Sequence, residues 1–476
     1  MLFLWKEVQN AHPLKSLLDV FKSGHYSRGV GHSQNKSAAK RLTSHNDVSI
    51  HFCSMCKSTG VIVSISFSLL LTAVTIPCYA QLKVDSTLFD RYVGDYRAQA
   101  PVIIPVDVTS YGLIFLRARV NDSQPLWFAL DSGASFPFVI DLRQAKALGL
   151  EQRDVFTASG GAGPDAYQVG TSNVVSLKVG DLVFANQTVA VIALSSLESL
   201  AGRPLDGLVG FDLFTRYVVE LDYFAGRIVL HDPRTYRYSG PGEIIRLTKQ
   251  DNHFLVAAKI QMPGRAQVNG RFLVDTGGAF APVVLSAPFA RANDLPASNQ
   301  RTIADHSLSG LGGETKVLVS RGTSFTLGKL VIDEPLVYVS QDTAGALASR
   351  DFDGIIGGEL LRKFKVIFDY PRHRLIFEKN SNSARPVEYD MSGIRLRAGG
   401  NDLRTFRVSQ VLENSPAAEG GLREGDVLTA IAGAPASKFT LDEIYQMLKR
   451  PGRQYKLNFR RDGETFFVRI TTRRLI

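Results

Sequence analysis

One internal repeat limits the possible folds of this 476-residue chain more than any other feature of its sequence. The segment Phe128-Ala-Leu-Asp-Ser-Gly-Ala-Ser135 recurs as Phe272-Leu-Val-Asp-Thr-Gly-Gly-Ala279. A second shared segment begins at Asp206 in the first copy and at Asp353 in the second, and eight of its 25 positions are identical. A single recurrence in fixed order at this separation indicates a duplicated unit rather than a short-period solenoid.

Between these landmarks the sequence has the pattern of short strands separated by turns. Apolar residues alternate in TSNVVSLKVGDLVFANQTVAVIAL and in TSFTLGKLVIDEPLVYVS, with glycines at the turns. Helical patterns are short, as in LRQAKALGL and APFARANDL. We therefore predict a mainly β fold with two similar β-barrel lobes, at residues 100–240 and 241–385.

Asp131 and Asp275 occupy equivalent places in the two copies. A lone Asp-Ser/Thr-Gly tripeptide is usually a turn, but a turn needs no partner at the matching place of a duplicated domain. Two carboxyl groups held close together share one proton. The ionised member can then take a proton from water while the protonated member donates to a carbonyl oxygen. The two aspartates are the predicted catalytic pair for peptide hydrolysis.

The residues beside the aspartates are expected to support the pair. Two hydroxyls can bond across to the opposite loop, and two glycines let the backbone turn tightly: Ser132, Thr276, Gly133 and Gly277. The copies differ further along, where Ser135 of the first copy corresponds to Ala279 of the second. We therefore expect the two carboxyl groups to differ in pKa, without the sequence indicating which one holds the proton.

On these motifs, residues 100–385 resemble aspartic proteases of the pepsin and retroviral-protease type, in the single-chain bacterial form with a retropepsin-like repeat in each half. The resemblance implies a secreted aspartic endopeptidase with Asp131 and Asp275 as catalytic residues. It also implies that Leu208–Gly210 and Ile355–Gly357 pack beneath the catalytic loops. Both lobes come from one chain, so no second copy is required to form the site, and we expect a monomer.

The resemblance further implies a hairpin flap over the cleft in each lobe. Two glycine-rich segments lie where the flaps are expected, and glycine density suits a mobile lid. An ordinary exposed loop is the alternative for each segment. The flap candidates are Gly160, Gly161, Gly163, Gly310, Gly312 and Gly313.

Residues 386–476 have a different pattern. The series Ser415-Pro-Ala-Ala, Gly421-Leu and Gly425-Asp-Val-Leu is followed by the helical pattern LDEIYQMLKR and a hairpin signal at Asp462-Gly463. This series resembles bacterial PDZ domains, which implies binding of a C-terminal peptide along a strand. The implied binding residues are Gly393, Ile394, Arg395 and Leu396. A folded appendage that binds no free peptide is the alternative.

The N-terminal part of the chain reads as targeting sequence. Residues 55–80 contain a lysine, the apolar run VIVSISFSLLLTAVTI and small residues before Gln81, in the order of a secretory signal peptide. We expect residues 1–54 to be a non-native or disordered extension and residues 81–99 a short N-terminal segment. The mature chain would be periplasmic or extracellular, and membrane-attached only if the signal stays uncleaved. All three cysteines precede Gln81, so the mature chain would have no disulfide.

Charge and motifs exclude several other functions. The formal charge of +10 falls to +5 without residues 1–80, and no basic stripe indicates a nucleic-acid partner. No motif calls for a metal or another cofactor, and no Gly-x-Ser-x-Gly supports a serine protease. The remaining alternative to a protease is a non-catalytic peptide-binding scaffold that retains the same fold.

Signal cleavage is directly testable. We expect the exported protein to begin at Gln81, because the small residues Cys78 and Ala80 precede that position at −3 and −1. Mass spectrometry of the N-terminal peptide of the exported protein measures this. Recovery of peptides from residues 1–54 in cells would show that this segment is translated and would contradict the expectation that it is non-native.

Overall fold

The computed structural model describes residues 4–5, 101–163, 165–250, 253–297 and 299–476. These residues belong to one unit of the chain. The predicted extension, signal peptide and N-terminal segment (residues 1–54, 55–80 and 81–99) lie outside the described residues, except for a two-residue strand, β1, at Leu4–Trp5. Over the described ranges, no helix is long and apolar enough to cross a membrane.

The first lobe consists of short strands and three short helices. In chain order they are β2 Val102–Pro105, β3 Asp107–Val108, β4 Ile114–Val120, β5 Leu126–Leu130, β6 Phe138–Asp141, α1 Leu142–Ala147, β7 Arg153–Gly160, β8 Ala166–Val179, β9 Leu182–Ile192, α2 Ser195–Ala201, β10 Gly207–Val209, α3 Phe211–Arg216, β11 Val218–Asp222 and β12 Arg227–His231. One sheet follows the order β1-β7-β8-β9-β6-β10-β5-β4-β3. Helix α1 begins where its pattern predicts, because the Asp141 carboxylate caps the Arg143 amide.

The second lobe repeats this arrangement. Its elements are β13 Glu243–Gln250, β14 His253–Gln261, β15 Val268–Val274, β16 Val283–Leu285, α4 Ala287–Ala292, β17 Ile303–Gly310, β18 Gly313–Arg321, β19 Ser324–Leu327, β20 Leu330–Asp333, β21 Leu336–Ser340, β22 Gly354–Ile356, α5 Gly358–Leu361, β23 Phe364–Asp369 and β24 Arg374–Lys379. Helix α4 corresponds to α1 and is capped in the same way, by the hydroxyl of Ser286. The duplication predicted from the sequence is thus present in the structure.

A shared sheet joins the two lobes. Strands β2, β12 and β11 of the first lobe continue into β23, β24 and β13 of the second, through antiparallel pairing of Val219 with Phe368 and of Leu221 with Val366. The buried apolar side chains form a cluster that includes residues of both lobes, among them Phe214 and Phe368, whose ring centroids lie 4.9 Å apart. The lobes therefore share a core and fold as one body.

The C-terminal domain has a separate six-stranded sheet and its own core. Its elements are β25 Ile394–Gly399, β26 Thr405–Val411, α6 Pro416–Glu419, β27 Val427–Ile431, β28 Ala434–Pro435, α7 Leu441–Leu448, β29 Gln454–Arg461 and β30 Glu464–Thr471. Helix α7 buries Leu441, Ile444 and Leu448 against this sheet and starts with a capping box between Thr440 and Glu443. Strands β29 and β30 form the predicted hairpin.

Candidate active site

The two copies of the second shared segment lie directly against the two predicted catalytic loops. Strand β10 runs parallel to β5 and antiparallel to β6, and β22 runs parallel to β15 and antiparallel to β16. The amide of Asp131 donates to Val209 O at 2.9 Å, and the amide of Asp275 donates to Ile356 O at 3.0 Å. Each aspartate is therefore held at the end of a strand by its own lobe's second segment.

The carboxylates of Asp206 and Asp353 bond to backbone amides of neighbouring strands. The carboxylate of Asp206 accepts from the Trp127 amide at 2.7 Å, and that of Asp353 accepts from the Arg271 amide at 2.8 Å. Each carboxylate thus ties the start of a second segment to the start of its neighbouring strand, away from the catalytic loops.

Four crossed hydrogen bonds connect the catalytic loops. Ser132 Oγ donates to Val274 O at 2.8 Å and accepts from the Thr276 amide at 3.0 Å. Thr276 Oγ1 donates to Leu130 O at 2.9 Å and accepts from the Ser132 amide at 2.9 Å. Both hydroxyls are buried. Each lobe thus supplies the partner for the other's buried amide and carbonyl, and the two loops are fixed relative to one another.

The glycines beside the aspartates are required by the close approach of the two loops. Both carboxyl groups are fully buried, and each accepts a 2.9 Å hydrogen bond from the glycine amide two residues on. A Cβ on Gly133 would lie 2.8 Å from Asp275 Oδ1, and one on Gly277 would lie 2.5 Å from Asp131 Cγ. Because each glycine faces the opposite lobe's carboxyl group, a side chain at either position would push the pair apart.

The electrostatics of the pair differ from those of ordinary aspartates. Burial raises the pKa of Asp131 well above its usual value, and the adjacent charge of Asp275 raises this pKa further. The Gly133 amide bond opposes the shift but is outweighed. Asp131 therefore keeps its proton under conditions in which an exposed aspartate is ionised.

The six glycine flap candidates lie at the tips of two hairpins. The first flap is β7, the tip residues 161–163 and 165, and the start of β8, with candidates Gly160, Gly161 and Gly163. The second flap is β17 and β18, with candidates Gly310, Gly312 and Gly313. The tips touch, since the Asp165 amide donates to Gly312 O at 2.9 Å. A Cβ on Gly160 would lie only 2.1 Å from the Gly312 amide nitrogen.

A small, mostly apolar cavity lies between the flaps and the second catalytic loop. It is lined by both flaps and by the chain that follows Asp275, including Ala162, Leu308, Gly278, Ala279, Val284 and Ile355. A cavity with this lining can accept a small apolar group next to the second catalytic loop.

Several residues of the site were not found from the sequence. Tyr167 lies in the first flap with its hydroxyl buried and, among the described residues, without a hydrogen-bond partner. His253 of the second lobe places Nε2 at 3.2 Å from Gly133 O and 3.4 Å from Ser135 Oγ. Neither residue has a sequence signal, since a lone Tyr or His next to a glycine or a polar residue is common on any surface.

Phe280 did have such a signal. Both copies carry phenylalanine five residues after the aspartate, as Phe136 and Phe280. Phe280 adopts a left-handed backbone conformation, with φ of 66°. Its ring stacks on Tyr111 of the first lobe at 3.8 Å and meets Tyr445 of helix α7 edge-on at 6.2 Å. The second catalytic loop is thereby in contact with the C-terminal domain.

The predicted peptide-binding residues of the C-terminal domain bond to other parts of the same chain. The amide of Gly393 donates to the Asp390 carboxylate at 2.5 Å, and the amide of Ile394 donates to Ser392 Oγ at 3.1 Å. Both the amide and the carbonyl of Leu396 bond to the Tyr445 hydroxyl, at 2.9 and 3.1 Å. Peptide binding by these residues stays a prediction, and it would require these internal bonds to be replaced.

Metal binding has no support in the described part of the chain, where no group of three or more histidine, cysteine or acidic side chains could hold a metal ion.

Two family models match parts of this chain. Residues 116–213 and 258–360 match the family model described as aspartyl protease, and residues 385–460 match the PDZ domain model. The crystal structure of an aspartic proteinase from Irpex lacteus is similar over 60% of this chain and 99% of its own, with 14% identity and a TM-score of 0.39. No curated protein matches the chain.

The crossed hydrogen bonds can be tested by changing one hydroxyl. Thr276→Val keeps the side-chain shape but leaves the Ser132 amide and Leu130 carbonyl without their partner, so we expect the free energy of unfolding to fall by about 1–3 kcal/mol. Urea denaturation measures this value. Thr188→Val is the matched control, because its exposed hydroxyl donates to the Asn173 side chain rather than to a buried backbone group. Equal losses in the two variants would contradict a special role for Thr276.

Proposed function

Because residues 116–213 and 258–360 are aspartyl protease segments and residues 385–460 a PDZ domain, we propose that this protein is an aspartic endopeptidase that hydrolyses polypeptides with Asp131 and Asp275. The observation that carries the proposal is the pair of fully buried carboxyl groups on two loops that are cross-linked by Ser132 and Thr276. A protein that only binds peptides has no need for two buried carboxyl groups held against each other, since their burial and mutual repulsion are costly.

In the proposed reaction the pair shares one proton, held by Asp131. Asp275 takes a proton from a water molecule, whose oxygen forms a bond to the carbonyl carbon of the substrate. Asp131 transfers its proton to the carbonyl oxygen, so a neutral tetrahedral diol is formed. When the C–N bond breaks, Asp275 returns its proton to the leaving nitrogen, and a diol hydroxyl returns one to Asp131. The products are a carboxylic acid and an amine, and the pair is restored.

The substrate class follows from the site's surroundings. A cleft covered by two touching flaps suits an extended strand better than a bulky fold, and the cavity beside Ala279 and Leu308 is apolar. The proposed substrate is therefore a polypeptide segment in extended conformation with an apolar side chain next to the scissile bond. Export by the N-terminal signal would place this substrate outside the cytoplasm, and a single chain suffices for the site.

Asparagine substitution tests the catalytic pair. Asp131→Asn and Asp275→Asn keep the side-chain size but remove the titratable group, and each is expected to lower kcat/KM on a peptide library by about 10²–10⁴-fold. Asp122→Asn and Asp333→Asn are the matched controls, one exposed aspartate in each lobe, and should keep wild-type activity. Activity that survives either change of the pair would refute the mechanism. Wild-type protein that binds peptides without cleaving them would favour the scaffold alternative.

The raised pKa of Asp131 predicts how activity and stability depend on pH. The reaction needs Asp131 protonated, so kcat/KM should persist above the ordinary aspartate pKa of about 3.9 and fall as the pH rises through the raised value. The contribution of Asp131 to stability has the same sign: it is full below the unfolded pKa and lost as the pH rises through the folded pKa.

The stability part can be measured without activity. Asp131→Asn is neutral at every pH, so its Tm minus that of wild type should increase from acidic to neutral pH. The same difference for Asp122→Asn should stay nearly constant. A difference for Asp131→Asn that falls over this range would contradict a raised pKa.

A further inference from the structure

A buried ion pair links the C-terminal domain to the second flap. Asp305 of β17 is fully buried, and Arg395 of β25 meets it through two hydrogen bonds, Nη2 to Oδ2 at 2.7 Å and Nε to Oδ1 at 3.2 Å. Tyr389 also donates its hydroxyl to Asp305 Oδ2 at 2.5 Å, and the Arg395 guanidinium lies 4.7 Å from the Tyr389 ring. Such a two-point contact fixes both distance and orientation.

Stability alone does not account for this pair. Taking an arginine and an aspartate out of water costs several kcal/mol each, and apolar residues of similar volume would often serve as well. Apolar residues cannot match the orientation that this pair fixes, because the flat guanidinium donates to both carboxylate oxygens only when the two groups lie in one plane.

Further contacts continue along both strands of the second flap. Gln410 of β26 accepts from the His306 amide at 2.9 Å. Arg397 of β25 donates to Ser309 Oγ at 2.8 Å and to Glu314 Oε1 at 3.0 Å. The second flap is thus held from its base at Asp305 to near its tip at Glu314.

The groove that a PDZ domain offers to peptides faces the protease lobes instead of solvent. Tyr445 bonds to the amide and carbonyl of Leu396, and Ser199 of α2 donates to Ala398 O at 2.5 Å. At the ends of α7, the Ser110 amide donates to Asp442 at 3.1 Å and Lys449 donates to Glu359 at 2.6 Å. The strand and the helix that border the groove therefore both bond to the lobes.

The same interface reaches the second catalytic loop. Phe280 lies between Tyr111 and Tyr445, and its positive φ is uncommon for an aromatic residue. Such backbone conformations are strained and persist where surrounding contacts hold them. Helix α7 supplies one of those contacts.

We propose that the C-terminal domain positions the second flap over the catalytic pair, with Arg395, Tyr389 and Arg397 as positioning residues. In this role the domain binds strand β17 of the second flap, which belongs to the same chain. The groove bordered by β25 and α7 then binds no free peptide end. The proposal rests on the proposed function for its effect on catalysis, while the attachment of the flap can be measured independently of cleavage.

Two variants weaken the attachment without endangering the fold. Arg397→Ala removes the bonds to Ser309 and Glu314 at a partly exposed position, and Tyr389→Phe removes only the hydroxyl bonded to Asp305. The matched control is Arg407→Ala on β26, whose side chain bonds to Gly425 O within the domain. A double variant, Asp305→Leu with Arg395→Met, replaces the buried pair by apolar side chains, an exchange that is often neutral for stability.

Hydrogen exchange reports the attachment directly. In an Asp131→Asn background, amides 303–310 should exchange about 5-fold faster in Arg397→Ala and Tyr389→Phe, and faster still in the double variant, since each lost hydrogen bond is worth about a factor of five. Amides 153–160 of the first flap are the internal reference. Unchanged exchange at 303–310 in all three variants would overturn the proposal, whether or not the protein cleaves peptides.

Kinetics then test the catalytic consequence in the active protein. We expect KM to rise about 5-fold in Arg397→Ala, with kcat within about twofold of wild type, because a looser flap weakens substrate binding more than the chemistry of the pair. Arg407→Ala should match wild type. Faster exchange with no change in either constant would overturn the positioning role, and absence of cleavage in wild type would instead overturn the proposed function.

Titration with a peptide tests whether the groove bordered by β25 and α7 binds a free peptide end. A fluorescent hexapeptide ending in valine with a free carboxylate, and the same peptide amidated, would be added to the full chain. We expect no saturable difference in binding between the free-carboxylate peptide and the amidated peptide. Carboxylate-dependent binding with protection of amides 394–399 would overturn the proposal and restore the free-peptide role of the domain.

Discussion

The crossed hydrogen bonds of Ser132 and Thr276 are the interaction on which the rest of this structure depends. Each hydroxyl donates a hydrogen bond to a carbonyl of the other lobe and accepts one from an amide of the other lobe. All of these groups are buried, so moving the lobes apart would leave four backbone groups without partners. This fixes the spacing of the catalytic loops, and the burial of Asp131 and Asp275 against each other follows from that spacing.

The pair therefore depends on the shared sheet and the common core as much as on its own side chains. Strands β11 and β23 join the lobes on one side, and the flap tips meet on the other, where Asp165 bonds to Gly312. Carboxyl groups enclosed in this way are costly to ionise together, which is why the pKa of Asp131 is raised. The chemistry proposed for the site uses this cost, since it keeps one proton on the pair.

The C-terminal domain breaks the symmetry of the duplicated lobes. It bonds to the second flap through Asp305 and contacts the second catalytic loop through Phe280. Duplication alone would make the two flaps equivalent. With the domain attached, the second flap is tied at its base, whereas the first flap meets the second through Gly163 and Asp165. The two halves of the cleft are therefore held by different contacts, in a chain whose candidate catalytic residues are nearly symmetric.

Much of the fold and the centre of the site could be predicted from the sequence. The repeat identified two lobes, the short amphipathic patterns identified α1, α4 and α7, and the matched motifs identified Asp131, Asp275 and their supporting residues. These features can be recognised in the sequence because a strand, a turn and a helix cap are each specified within a few residues. The glycines of the flap tips could also be predicted from a local pattern, whereas the contact between the two tips could not.

The contacts between distant segments could not be predicted in this way. Nothing near Arg395 indicates that its partner is Asp305, 90 positions earlier, and nothing near Leu396 indicates that the Tyr445 hydroxyl bonds to its backbone. The sequence by itself determined the duplicated lobes, the PDZ-like domain and the candidate catalytic pair, because each is encoded by a local pattern. Only the tertiary structure decided that the two carboxyl groups are buried against each other and which way the C-terminal domain faces. Both depend on burial and on contacts across the chain, which no local pattern records.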